Sequence, residues 1–191
     1  MIKKSRLYPL FLKSDERTQR LVIKQMEFFI LDNSQYTDKN NYYWLCNLLV
    51  SISFVRVYSN QNMVKSDIIS IIREEMYKSV ELEMQKFSEM SVLPSFIGFL
   101  NKYISKFKKK NTGYGWKVDI LPSMDKECHI QVRECLIRKI CNRYEMTFLI
   151  PVFCDMHSYI FGDLKGAFFV SNDLLVNGGS SCDFTIRSKN I

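Results

Sequence analysis

The stretch "WKVDILPSMDKECHIQVRECLIRKICNRY", residues 116–144, decides the fold because its hydrophobic period changes along its length. Val118 and Ile120, then Cys128, Ile130 and Val132, recur at every second residue, the spacing of strands that bury one face. Leu136, Ile137, Ile140, Cys141 and Tyr144 then recur at helical spacing, so Cys135 falls at a strand-to-helix junction. Downstream, "PVFCDMHSYIF" (151–161) reads as a short helix with Pro151 in its first turn, where a missing N–H is tolerated. "AFFVS" (167–171) and "CDFTIR" (182–187) read as two more strands, joined by a connection that contains Gly178 and Gly179. The expectation for residues 113–191 is an α+β region with a small, mainly antiparallel sheet.

Working back from Gly113, the chain is helical in pattern. Ser14 or Asp15 is placed to cap a helix carrying Val22, Met26, Phe29 and Ile30. "YYWLCNLLVSISFV" (42–55) is the most apolar run, yet it contains Asn47 and two serines and is shorter than the ~20 residues a membrane span needs; it reads as a buried helix. Ser66 or Asp67 is the next expected cap. Ile72, Met76, Val80, Met84 and Phe87 form one stripe of a long amphipathic helix. Phe96, Leu100, Tyr103, Ile104 and Phe107 mark a further helix that stops at Asn111–Gly113. Residues 1–112 are therefore expected to be a helical region packed on the α+β region in one unit, giving an α+β fold class overall.

The 191 residues carry 27 Lys and Arg against 20 Asp and Glu, a formal +7, and 47% are hydrophobic, which excludes a disordered chain. Lys102, Lys106, Lys108, Lys109 and Lys110 sit at a helix end, where cations complement the macrodipole and stay solvated. With no recognition motif beside them, neither nucleic acid nor membrane is expected as a partner. The start, "MIKKSRLYPLF", has no apolar core or cleavage site of a secretory signal, so a cytoplasmic location and reduced cysteines are expected. There is no P-loop, dinucleotide glycine fingerprint, HExxH or CxxC, and no cofactor or metal is expected. Of the two histidines, His129 alternates onto the face opposite Cys128.

Three cysteine motifs follow one another: "REC" (133–135), "PVFCDMH" (151–157) and "GGSSCDFTIR" (178–187). This order and spacing resembles the L-2-amino-thiazoline-4-carboxylic acid hydrolase family, in which a strand ends in a cysteine, a second cysteine lies in a later helix, and the chain closes on a Gly-Gly-x-x-Cys-Asp-Phe strand. The resemblance by motif covers roughly residues 113 to 189. It implies hydrolytic opening of a small cyclic amidine that bears a carboxylate. The family often has an aspartate three residues after the second cysteine; here that position is His157, with Asp155 beside Cys154.

The chemistry needs a nucleophile, a proton carrier and an anion anchor. Cysteine serves the first, because thiolate is the reactive form and its neighbours set how much is present. Cys154 and His157 share a helix face at i, i+3. The candidate catalytic residues are thus Cys135, Cys154, His157, Cys182, Asp155 and Asp183. Arg133, Arg138 and Arg187 are the candidates for gripping a substrate carboxylate, and the residues do not choose among them. Cys46, Cys128 and Cys141 fall on apolar faces and read as core. Two other readings stand beside this one: a non-catalytic binding domain, since the closing strand also resembles vinyl-reductase-type small-molecule-binding domains, and a zinc site made by Cys135, Cys154, His157 and Cys182. A small-molecule substrate is the expected partner, and homo-oligomer formation is left open.

Overall fold

The computed structural model describes residues 1–121, 126–172, 174–175 and 178–189. Helices α1 (Tyr8–Lys13), α2 (Glu16–Asp32), α3 (Tyr42–Asn60), α4 (Lys65–Lys78), α5 (Glu81–Met90) and α6 (Phe96–Asn111) come first. Strands β1 (Lys117–Leu121) and β2 (Glu127–Glu134), helices α7 (Leu136–Arg143) and α8 (Ile150–Phe161), and strands β3 (Ala167–Asn172) and β4 (Cys182–Ser188) follow. The fold is α+β: mostly helical, with one antiparallel sheet in the C-terminal half, in the order β1-β2-β4-β3.

Contacts divide the chain into Met1–Ser79 and Val80–Ile191. In the first unit Asp15 caps α2 as its chemistry requires, with Oδ1 accepting from Thr18 N at 3.0 Å and Oδ2 from Thr18 Oγ1 at 2.7 Å. Helix α3 is buried on nearly every side from Leu45 to Val55. Its polar residues are satisfied locally: Asn47 Oδ1 accepts from Arg6 N at 2.8 Å, and Ser51 and Ser53 donate to carbonyls one turn back. Among the described residues no helix is long and apolar enough to cross a membrane.

Two helix boundaries differ from the sequence reading. Helix α4 begins at Lys65, after the extended Val64, and neither Ser66 nor Asp67 caps it; they lie in its first turn, where Asp67 complements the positive helix end. The single amphipathic helix through Phe87 is two helices, broken at Ser79–Val80. Ser79 Oγ donates to the Met76 carbonyl, so its hydroxyl competes for helix acceptors, while Val80 remains fully buried and keeps the apolar stripe in phase. The division between the two units lies at this break.

In the second unit α5 and α6 join the layer beneath the sheet. Phe87 meets Tyr103 edge to face (ring centroids 5.4 Å apart) and lies tilted against Phe161 (5.1 Å), and Phe161 meets Phe169 of β3 at 6.1 Å. The approach to β3 is tight: a Cβ on Gly166 would lie 2.2 Å from the Ser91 carbonyl oxygen and 2.6 Å from the Val92 Cα. A Gly166→Ala substitution is expected to cost about 2–3 kcal/mol through backbone clash. Gly98→Ala, where nothing lies within 4 Å, is expected to stabilise α6 by about 0.5–1 kcal/mol. Urea unfolding of both variants checks the pair of opposite signs.

Candidate functional site

Strand pairing sets which side chains meet. Val132 of β2 stands opposite Cys182 of β4, Ile130 opposite Phe184 and Cys128 opposite Ile186, so these six share one face. Phe169 of β3 pairs with Ile186 and joins them. Leu175, Cys182 and Phe184 form a buried cluster against which Ile130, Val132, Cys135, Phe169 and Leu174 pack. The 173–181 connection is described in part: Gly178 has a φ of 87°, which only glycine adopts freely, and residues 173, 176 and 177 lie outside the described residues.

Cys135 is the residue before α7, its backbone extended at φ −123° and ψ 116°, so the chain leaves β2 and enters the helix at this thiol. Cys154 and His157 come from α8. His157 lies against Phe184, with ring centroids 5.1 Å apart, and Phe184 lies 6.0 Å from Phe169. Nδ1–H of His157 donates to the Cys154 carbonyl at 3.2 Å, which leaves Nε2 as the lone-pair nitrogen of the neutral ring. Burial holds the His157 pKa below 6.5, the Cys154 carbonyl opposing in part, so the ring is neutral at pH 7 and able to take a proton.

All six cysteines are free thiols. Burial raises Cys154 to about 12, with the charges of Cys135, Cys182 and Asp155 adding to it. Burial also raises Cys135, to about 11; the amide N–H groups and the guanidinium at the start of α7 pull the other way without closing a cap hydrogen bond. Cys135, Cys154 and Cys182 therefore lie close enough for a charge on one to disfavour a charge on another. Cys141, read from the sequence as core, is fully buried and also neighbours Cys135 and Cys154, which help raise it to about 12. The Cys182 Sγ accepts a hydrogen bond from Leu175 N at 3.3 Å.

The remaining expected residues are placed elsewhere. Asp155 is on the exposed side of α8. Asp183 alternates to the opposite sheet face from Cys182, where its Oδ1 accepts from His129 Nε2 at 2.7 Å. Arg133 and Arg187 are on that same opposite face: Arg133 reaches Gln131 and Asp119, and Arg187 binds Glu127 through Nε and Nη2. Only Arg138, in the first turn of α7, is on the side of the thiols. The His129–Asp183 pair was not anticipated as a pair, although the alternation that separates His129 from Cys128 also separates Asp183 from Cys182. Among the described residues no group of three His, Cys, Asp or Glu side chains is assembled to hold a metal ion, so the zinc reading finds no donor set.

The model of the L-2-amino-thiazoline-4-carboxylic acid hydrolase family matches residues 49–186, reaching back through the helices that carry no cysteine motif. Among curated proteins no match is found. Two solved structures are similar at low level: the Fe(II) unliganded H-NOX protein of K. algicida, a point mutant, at 9% identity with a TM-score of 0.31, covering 75% of this chain and 71% of that one; and the H-NOX domain of Shewanella oneidensis in the Fe(II)CO state, at 11% identity with a TM-score of 0.32, covering 91% and 95%.

Two measurements follow from the site's electrostatics. The His157 ring is expected to titrate by NMR with a midpoint below 6.5. Because the unfolded chain then binds more protons than the folded one, this residue's contribution to stability is present above pH 6.5 and is lost as pH falls through the folded value, a slope that His157→Gln removes. Alkylation of Cys135 and Cys154 is expected to rise about tenfold per pH unit from pH 7 to pH 10 without a plateau, since their thiolates form only near pH 11 and 12.

Proposed function

Because the chain belongs to the L-2-amino-thiazoline-4-carboxylic acid hydrolase family, we propose that it is a hydrolase that opens a small cyclic amidine of the thiazoline kind. The observation that carries this reading is the convergence of the three motif thiols, Cys135, Cys154 and Cys182, around the aromatic wall of Phe169 and Phe184, with His157 against that wall. The reaction adds water across a bond of the ring carbon held between sulfur and nitrogen. That carbon needs a nucleophile on one side and a proton for the departing ring atom on the other.

Cys182 is assigned as the nucleophile, because a backbone N–H already points at its sulfur and would stabilise a thiolate there. Its proton passes to His157 Nε2 as sulfur bonds to the ring carbon. The C–S or C–N ring bond breaks, and the departing atom takes the proton back from His157. Water then attacks the thioester-like carbon, His157 again relaying the proton, and Cys182 is released as a thiol. Cys135 and Cys154 remain neutral near pH 7 and line the site as polarizable, weakly donating walls.

A second reading, ligand binding without turnover, is favoured by those same raised thiol pKa values, which leave no preformed thiolate at Cys135 or Cys154. Turnover of 2-aminothiazoline-4-carboxylate and related cyclic amidines by the wild type and single variants separates the two. Hydrolysis predicts a loss of at least about a hundredfold in Cys182→Ala and in His157→Gln, with Cys46→Ala unaffected. Binding without turnover predicts saturable binding and no product from any of them, and unchanged turnover in Cys135→Ala, Cys154→Ala and Cys182→Ala would remove cysteine from the mechanism.

A further inference from the structure

Three arginines in or next to the cysteine motifs have the chemistry to hold an anion, and the fold treats them differently. Arg133 and Arg187 project from the sheet face opposite Cys182, each beside a carboxylate: Arg133 Nη2 lies 3.5 Å from Asp119 Oδ2 and Arg187 Nη2 lies 3.0 Å from Glu127 Oε2. Arg138 is partly buried in α7 and, among the described residues, its guanidinium has no hydrogen bond or ion pair. Its neighbour Lys139 does have one, to Glu134. A partly buried guanidinium that keeps its donors free for a ligand is suited to grip a carboxylate with two parallel hydrogen bonds.

Its position says where that charge would sit. Cys135 is the N-cap residue of α7 and Arg138 is three residues on, so both stand at the start of the helix. Cys135 in turn packs against Cys182 and Phe184. The Arg138 charge acts on the Cys135 sulfur in the direction that favours a negative charge there, a small effect beside the burial that raises the thiol.

We infer that Arg138 is the anion anchor of the thiol site, holding the carboxylate of the bound molecule next to Cys135 and thereby setting specificity for acidic over neutral ligands. This deepens the hydrolase reading, and the test is read on thiol labelling as well as on turnover so that the two fail separately. The probes are iodoacetate and iodoacetamide, which differ chiefly in the carboxylate. Their rates at Cys135 are followed by peptide mass spectrometry at pH 9. Thiolates in open solution disfavour the anionic reagent; in the wild type the ratio of iodoacetate to iodoacetamide rates is expected to exceed that of a free thiol.

Arg138→Gln is expected to lower that ratio about tenfold or more, in keeping with the loss of one charge-assisted hydrogen-bonded contact, and Arg138→Lys to restore it in part. Arg133→Gln and Arg187→Gln are expected to leave it unchanged. A ratio that does not fall in Arg138→Gln, or that falls equally in Arg133→Gln, overturns the assignment. A measurement on the wild type covers the case in which the variant does not fold: acetate is expected to slow iodoacetamide labelling of Cys135 and acetamide not to, and equal effects of the two overturn the inference. If turnover is found, Arg138→Gln raises KM for the carboxylate-bearing cyclic amidine by about 10–100-fold and leaves that for its decarboxylated analogue within about twofold. A loss shared by both substrates overturns it.

Discussion

The antiparallel register of β2 against β4 is the constraint on which the site depends. Val132 opposite Cys182 places the entry of the last strand beside the end of the strand that runs into Cys135. Two thiols separated by 47 positions in the chain are thereby held in one layer, and α8 brings Cys154 and His157 to the same layer. A slip of one residue would send Cys182, Phe184 and Ile186 to the other face and bring Asp183, Thr185 and Arg187 inward. The His129–Asp183 hydrogen bond and the Arg187–Glu127 pair act against such a slip, since both cross between the same two strands on the outer face. The Cys-Asp-Phe triplet is thus read on both sides of the sheet: sulfur and ring toward the cluster, carboxylate toward its cross-strand histidine.

The environment that gathers the thiols also restrains them. Cys135, Cys141 and Cys154 are moved out of water, and each would carry its negative charge close to another thiol, so desolvation and mutual repulsion both oppose their ionisation. Cys135 and Cys154 therefore rest as neutral thiols beside a neutral imidazole. Chemistry in such a setting proceeds by moving a proton as the new bond forms, rather than from a standing thiolate. Burial that lowers the His157 pKa suits this arrangement, because a protonated ring could not accept the proton.

Much of this organisation was legible in the hydrophobic period. The strands at 117–121 and 127–134, the junction at Cys135 and the helix after Pro151 all follow from changes between periods of two and 3.6. The break at Ser79–Val80 was not legible, because Val80 stays in phase with the apolar stripe on either side and a serine hydroxyl that turns back on its own helix leaves no mark in the period. The placement of the arginines was legible in part. Arg133 alternates against Val132, and Arg187 against Ile186, so strand parity alone puts both away from the cysteine face. What parity could not supply was the pairing of those arginines with Asp119 and Glu127, which depends on the register between strands.

The contrast between the two faces gives the site its chemical character. On the outer face positive groups meet negative ones at Arg133–Asp119, Arg187–Glu127 and His129–Asp183. On the inner side are sulfur, aromatic rings and an imidazole held uncharged, and beside Cys135 stands the Arg138 guanidinium, which meets no acid among the described residues. A low-dielectric surface strengthens the field of a single fixed charge, because little water or counter-charge is present to screen it. In the proposed reading a cyclic amidine carrying one carboxylate is held with its anion toward Arg138, because Arg133 and Arg187 already face Asp119 and Glu127 on the other side of the sheet.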